Sequence, residues 1–314
     1  MIEIIDVTKK YGRKIVLNKL NFKINKGEIL GFLGPNGAGK STTMNIITGY
    51  ISASEGCVKV DGIDILEHPE KVKKKIGYLP EIPPLYTDMT VGEYLKFVCR
   101  IKKVDKNEEQ KHIEAIMERV KINDVKGRLI RNLSKGYKQR VGIAQALVGN
   151  PEVLILDEPT VGLDPNQIIE IRNMIKELGK EHTIMLSSHI LSEVSAVCDR
   201  ILIINKGEIV ASGTYDELSR LFNCSSKIFL RVKGNKKNIA KALSEIENIE
   251  NTKDQGTFEN GTVDILIEVR KDKDIREQIF SAFSKNGCPI LMMKNENPTL
   301  EEIFMQVTAV NKEA

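Results

Sequence analysis

The sequence predicts a layered α/β domain over residues 1–222, interrupted by a helical insertion and followed by a smaller α+β domain over residues 223–314. Short β-branched runs alternate with helical patterns through the first 220 or so residues, the arrangement of sheet and helix layers around one core. Between about 89 and 149 the texture changes to long polar and apolar helical periodicity, and after Asn223 the alternation restarts. A chain of 314 residues fits two domains, at roughly 100–200 residues per domain.

In the first domain the apolar runs predict strands at 2–5, 22–24, 29–33, 58–60, 76–79, 153–156, 183–186 and 201–204. Helical spacing is clearest at 91–101 and 107–120, both inside the insertion, and at 141–149, which closes it. The second domain reads strand 227–232, helix 237–246, strand 249–253, an alternating strand through Val263, Ile265, Ile267 and Val269, helix 275–284 and strand 289–293. That is the β-α-β-β-α-β order of a ferredoxin-like unit. Glu259, Asn260 and Gly261 supply the turn between its middle strands, and a last helix is expected at 299–307.

Composition excludes several classes. Apolar residues at 41% and charged residues at 29% are globular values. No apolar run approaches the roughly 20 residues that cross a bilayer, and the start MIEIIDVTKK lacks the basic flank and apolar run of a secretory signal. A cytoplasmic location is therefore expected. Forty-seven Lys and Arg against 43 Asp and Glu leave a net charge of +4 without a basic stripe, so no nucleic-acid partner is predicted. The scarcity of aromatics, 5% with no Trp, points the same way. Five scattered cysteines without CxxC spacing suit a reducing compartment and no structural zinc.

The chemistry is concentrated in two segments. After the strand that ends at Leu33 comes Gly34, Pro35, Asn36, Gly37, Ala38, Gly39, Lys40, Ser41 and Thr42, followed by helical spacing through Thr48. Strand, glycine-rich loop and helix is the context of a phosphate-binding P-loop. Glycines let backbone N–H groups turn toward phosphates, the helix N-terminus adds partial positive charge, Lys40 neutralises the terminal phosphates and the Ser41 hydroxyl reaches Mg²⁺. The second segment, VLILDEPT at 153–160, ends an apolar strand with Asp157 and Glu158. Beside a P-loop, these carboxylates are read as the Mg²⁺ holder and the base that activates water. Their distance in sequence from Lys40 far exceeds one βαβ unit of about 30 residues, so the helices between them are inserted within the ATPase core.

The insertion closes with LSKGYKQR at 133–140, and here the sequence resembles the ATP-binding cassette (ABC) family. The family's signature is LSGGQ: Ser134 and Gly136 match it, while Lys135 and Tyr137 depart from it. Other motifs follow in the family's order. Tyr11 matches the aromatic that stacks on adenine, and Gly162, Leu163 and Asp164 match the loop that crosses the dimer interface. His189 matches the switch histidine that senses the γ-phosphate. Glu81, in GYLPE, stands where the family most often has Gln and is read as a Mg²⁺ ligand. The fine wording, including PTLEEIF at 298–304, resembles the type-2 exporter branch, in which the cassette pairs with a separate polytopic permease.

The resemblance implies an ATPase subunit peripheral on the inner face of the cell membrane. It works as a head-to-tail dimer, of like or related cassettes. Tyr11 and the P-loop of one copy hold ATP against Ser134, Gly136 and Asp164 of the other, and the C-terminal domain is an accessory. The proline-rich stretch 82–90 after Glu81 is apolar for a solvent loop and is expected to line the groove that receives a permease helix.

Overall fold

A computed structural model describes residues 1–188, 190–222, 225–270, 273–296 and 299–310. The chain divides into two compact units, Met1–Tyr215 and Asp216–Ala314. The division falls at the start of a helix, Tyr215–Phe222, whereas the sequence placed it after that segment at 222. A short helix beside a boundary carries no mark in its own periodicity of the side to which it belongs.

The first unit opens with β1 (Ile2–Tyr11), β2 (Lys14–Ile24) and β3 (Ile29–Leu33), then α1 (Lys40–Ile47), β4 (Glu55–Val60), β5 (Ile63–Asp64), α2 (Pro69–Lys75) and β6 (Ile76–Leu79). The insertion supplies α3 (Val91–Ile101), α4 (Glu109–Arg119) and α5 (Lys135–Leu147). The chain returns through β7 (Val153–Asp157), α6 (Pro165–Gly179), β8 (Thr183–Ser187), α7 (Leu191–Val197), β9 (Arg200–Asn205) and β10 (Glu208–Gly213).

An antiparallel sheet of order β2-β1-β4-β5 faces a six-stranded sheet of order β10-β9-β3-β8-β7-β6 across one core. In the larger sheet every neighbour pair is parallel except β10 with β9. Both of its faces are covered, which explains the unbroken apolar runs. Along β7 the side chains alternate strictly: Val153 and Ile155 enter the core shared with the antiparallel sheet, and Leu154 and Leu156 enter the core shared with the inserted helices.

The insertion follows the helical rules. Thr90 and Glu93 form a reciprocal capping box at the start of α3, and Tyr94, Leu95 and Val98 turn inward. Where the sequence placed a helix at 141–149, α5 begins at Lys135, because the Ser134 side chain already caps it by accepting from the Tyr137 N–H. The signature-like residues are thus the first turn of this helix and not a loop ahead of it.

In the second unit, the helix α8 (Tyr215–Phe222) precedes β11 (Ser225–Lys233), α9 (Lys236–Ser244), β12 (Ile249–Gly256), β13 (Thr262–Arg270), α10 (Arg276–Lys285) and β14 (Ile290–Glu296). The antiparallel sheet order is β12-β13-β11-β14, the ferredoxin-like arrangement, with α9 and α10 packed on one face around Phe283 and Ile267. The last helix, α11 (Leu300–Val310), opens on a second reciprocal box between Thr299 and Glu302.

Candidate functional site

The C-terminal ends of β3, β8 and β7 lie side by side, and ligands of open parallel sheets bind outside such ends. The loop 34–39 leaves β3 there and feeds α1. Gly34 is buried so tightly that an added Cβ would come within 2.5 Å of the Ile204 carbonyl. Gly39 holds φ at +112°, a conformation that excludes side chains, and turns the loop into the helix. Ala38 is buried and its carbonyl accepts from the Gly207 N–H at 2.9 Å, which fixes the loop against the β9–β10 turn. Lys40 folds onto the loop itself: its ammonium donates to the Gly34 carbonyl at 2.6 Å and to that of Pro35 at 3.4 Å.

Opposite the loop stand the carboxylates. The Ser187 hydroxyl at the end of β8 donates to Asp157 Oδ1 at 2.5 Å and accepts from the Glu158 N–H at 3.0 Å, so one small side chain positions both. Glu158 is buried and takes a left-handed φ of +51°, uncommon outside glycine and costly to hold. Burial pushes the Asp157 carboxyl above its ordinary value. The Ser187 bond opposes that shift, the charges of Glu158 and Glu81 add to it, and Lys40 counters it.

Together these groups line a cleft of about 790 Å³. Of the residues expected from the sequence, it gathers Asn36, Gly37, Gly39, Lys40, Ser41, Thr42, Glu81, Asp157 and Glu158. Among the described residues, no three His, Cys, Asp or Glu side chains converge to hold a metal by themselves. A crowded, partly desolvated set of carboxylates next to a serine hydroxyl is nevertheless the hard oxygen donor set of Mg²⁺, which takes one or two carboxylates and completes its shell with phosphate and water.

The remaining expected residues are placed elsewhere. Gly34, Pro35 and Ala38 shape the loop without lining the cleft. Tyr11, 52% exposed at the end of β1 with the Lys9 ammonium 5.1 Å from its ring centroid, stands at the turn that leads to the lining residues Lys14, Ile15 and Val16. Ser134 caps α5, and Gly136 lies buried against the Gln167 side chain. Asp164 caps α6, its Oδ1 accepting from the Gln167 N–H at 3.0 Å ahead of Pro165. The two departures from LSGGQ are both engaged: Lys135 reaches over Gly162, and the Tyr137 hydroxyl donates to Asp124 at 2.7 Å. His189 lies outside the described residues.

Sequence reasoning missed Ser187, Lys14 and Lys206. Ser187 closes an apolar strand and was legible only as a strand end, while Lys14 opens β2 and Lys206 lies in the β9–β10 turn, neither within a motif.

Comparison with known proteins finds relatives of the chain. A family model described as ABC transporter matches residues 17–161. The linearmycin resistance ATP-binding protein LnrL of Bacillus subtilis (strain 168) is 32% identical over 311 residues, covering 98% of each chain. The bacitracin transport ATP-binding protein BcrA of Bacillus licheniformis is 32% identical over 309 residues, 98% of this chain and 97% of its own. The lantibiotic transport ATP-binding protein SrtF of Streptococcus pyogenes is 40% identical over 227 residues, 71% of this chain and 96% of its own. Among solved structures, an ATP-binding subunit of an ABC transporter matches with a TM-score of 0.65 and 31% identity over 71% of this chain and 93% of its own. A dimeric post-hydrolysis cassette, MJ0796 bound to ADP and Pi, matches with 0.62 and 28% over 68% of this chain and 98% of its own.

Proposed function

The chain belongs to the ATP-binding proteins of the ABC transporter family, and on that premise we propose how its cleft performs the reaction. It is an ATPase subunit that drives a separate permease of the exporter type. The observation that carries the site assignment is the single cleft in which Lys40 and Ser41 face Asp157, Glu158 and Glu81.

On nucleotide binding, Lys40 exchanges the carbonyls of Gly34 and Pro35 for the β- and γ-phosphates, and the backbone N–H groups of the loop and of the start of α1 take the remaining phosphate oxygens. Tyr11, at the rim, stacks on the base. Ser41, Asp157 and Glu81 would hold Mg²⁺, which when bound draws charge from the γ-phosphoryl group. Glu158, set by its left-handed backbone and by Ser187, accepts the proton of the attacking water. His189 supports the γ-phosphate. Ser134, Gly136 and Asp164 lie outside the cleft of their own chain, and they complete the site of a second copy placed head to tail. Closure of this dimer on two ATP molecules requires that the closed state bind ATP more tightly than the open one.

The unit from Asp216 onward carries no P-loop and does no chemistry; it regulates or dimerises. The chain itself sits at the inner membrane face through its permease, with Pro83, Pro84, Leu85 and Tyr86 as the contact. Ile82 and Tyr86 are exposed at 83% and 54%, apolar surface that a permease helix would cover. The relatives named for linearmycin resistance, bacitracin transport and lantibiotic transport make antimicrobial compounds the cargo to test first. Pull-down from detergent-solubilised membranes, with cysteines at 85 or 86 as cross-linkers, tests the partner. A polytopic protein joined to those positions is expected. Capture of ribosomal components or of no membrane protein would overturn the reading.

A further inference from the structure

Away from the nucleotide cleft, a second cavity of about 670 Å³ opens between α2, the α3–α4 link, α4 and the α5–β7 connection. Its wall carries four lysines, Lys73 and Lys74 from the end of α2 and Lys102 and Lys103 from the end of α3. The adjacent Lys75 is paired with Asp61 at 2.8 Å and with Glu152. Among the described residues, by contrast, none of the four cavity lysines has a carboxylate within ion-pair distance, although Glu70, Asp105 and Glu108 share the wall. Asp105 is turned to its own loop, accepting from the Asn107 N–H at 2.9 Å.

Two of the lining groups are held in a donor state. The Lys102 ammonium is partly buried and donates to the Val148 carbonyl at 2.9 Å, which leaves two of its three N–H groups for another acceptor. Burial pulls its pKa down to about 8, the cost of a cation whose neighbours do not compensate it. His112 Nε2 accepts from the Gly149 N–H at 2.9 Å, so the ring is neutral with its proton on Nδ1, and the residue belongs to the cavity lining. Burial, helped by Lys102 and Arg119 and opposed by Glu108, holds the imidazole pKa below its ordinary value. The cavity therefore offers N–H donors from three elements and no ion-paired cation. The exposed side chain of Ile101 and that of Val104 add an apolar edge.

We propose that this cavity is a binding site for a phosphate-bearing anion, with Lys102, Lys103 and Lys74 as its charged donors and the His112 Nδ1–H as a neutral one. A phosphate mono- or diester matches the donor set, since it supplies several acceptor oxygens and the negative charge that the lysines lack. The volume exceeds that of one phosphate, so the anion carries a further polar or apolar part. This site is independent of the P-loop assignment.

Lys102 itself reports occupancy, because a low-pKa amine acylates quickly near pH 8. The acetylation rate of Lys102 is measured by mass spectrometry on the full chain, with exposed Lys237 as the internal standard, in the presence of inorganic pyrophosphate, phosphatidylglycerol vesicles or phosphatidylcholine vesicles. P-loop binding does not score, since the readout is local to Lys102. A slowing of about 5-fold or more by pyrophosphate assigns a soluble anion. The same slowing by phosphatidylglycerol but not phosphatidylcholine assigns a lipid headgroup. In either case the effect must vanish in Lys74→Glu/Lys103→Glu, two exposed substitutions that leave the core intact. No slowing by any of the three overturns the proposal, as does slowing that survives the double substitution. Slowing seen only on assembly with a membrane subunit assigns the cavity to a protein contact and overturns it too.

Discussion

The P-loop half and the signature half of the first unit carry motifs of equal familiarity, yet the chain builds them differently. Around Lys40 and Asp157 the backbone converges, with buried Gly34, a shared Ser187 and a lysine already bonded to the loop that it will leave. Around Ser134 and Asp164 the same polar residue types serve as helix caps, satisfied by the Tyr137 and Gln167 N–H groups, and neither lines the cleft of Lys40 and Asp157. Under the proposed head-to-tail dimer, the motif that closes on itself is a complete half-site, and the one that ends in exposed caps is a surface that a partner turns into a site.

Substitutions can break that distinction. Glu158→Gln should lower ATP turnover by roughly 10² or more while nucleotide binding persists, and a stable ATP-bound dimer should accumulate. Lys40→Ala should instead weaken nucleotide binding by about 10- to 100-fold, the worth of one hydrogen bond to a charged group, with no dimer. Equal loss of binding in both would remove the division of labour between loop and strand. Glu81→Gln should raise the Mg²⁺ concentration needed for half-maximal ATPase activity, and superimposable Mg²⁺ titrations would demote Glu81 to a bystander.

Ser134→Ala should cost about 1 kcal/mol of stability through the lost cap and leave the nucleotide affinity of a dilute, monomeric sample unchanged, while ATPase activity at high protein concentration falls. A changed monomer affinity would place Ser134 in its own chain's cleft after all. The smallest effect concerns Asp157. Its folded pKa stands above the ordinary value of 3.8, so unfolding releases a proton and this residue erodes stability as pH rises from 3.8 through the raised value. Asp157→Asn should therefore melt higher than wild type at neutral pH, with the gap closing toward pH 4. A constant gap across pH would show that the carboxylate is not the cause.

The buried parts of the fold were legible from sequence, and the half-exposed parts were not. All eight runs read as strands in the first unit are strands, and five of them lie in the parallel sheet, whose two covered faces leave unbroken apolar runs. The sequence showed β2 only from Phe22, since Lys14, Asn18 and Lys19 on its open side break the apolar run, and β10, the outer strand of its sheet, went unread for the same reason. In the site, residues carried by a spaced motif could be named in advance. Ser187, Lys14 and Lys206 could not, because topology alone brings the two lysines to the cleft and Ser187 beneath its carboxylates.

The pair at the end of β7 has a meaning for anyone who would improve this protein by selection. Asp157 is a buried acid set among like charges, and Glu158 occupies a backbone well that glycine or asparagine would fill with less strain. With the roles proposed for them, both positions set thermostability against turnover. A heat-challenge library that is not also scored for ATP consumption will be drawn to these two codons first, and its hardiest survivors will be the ones that have stopped working.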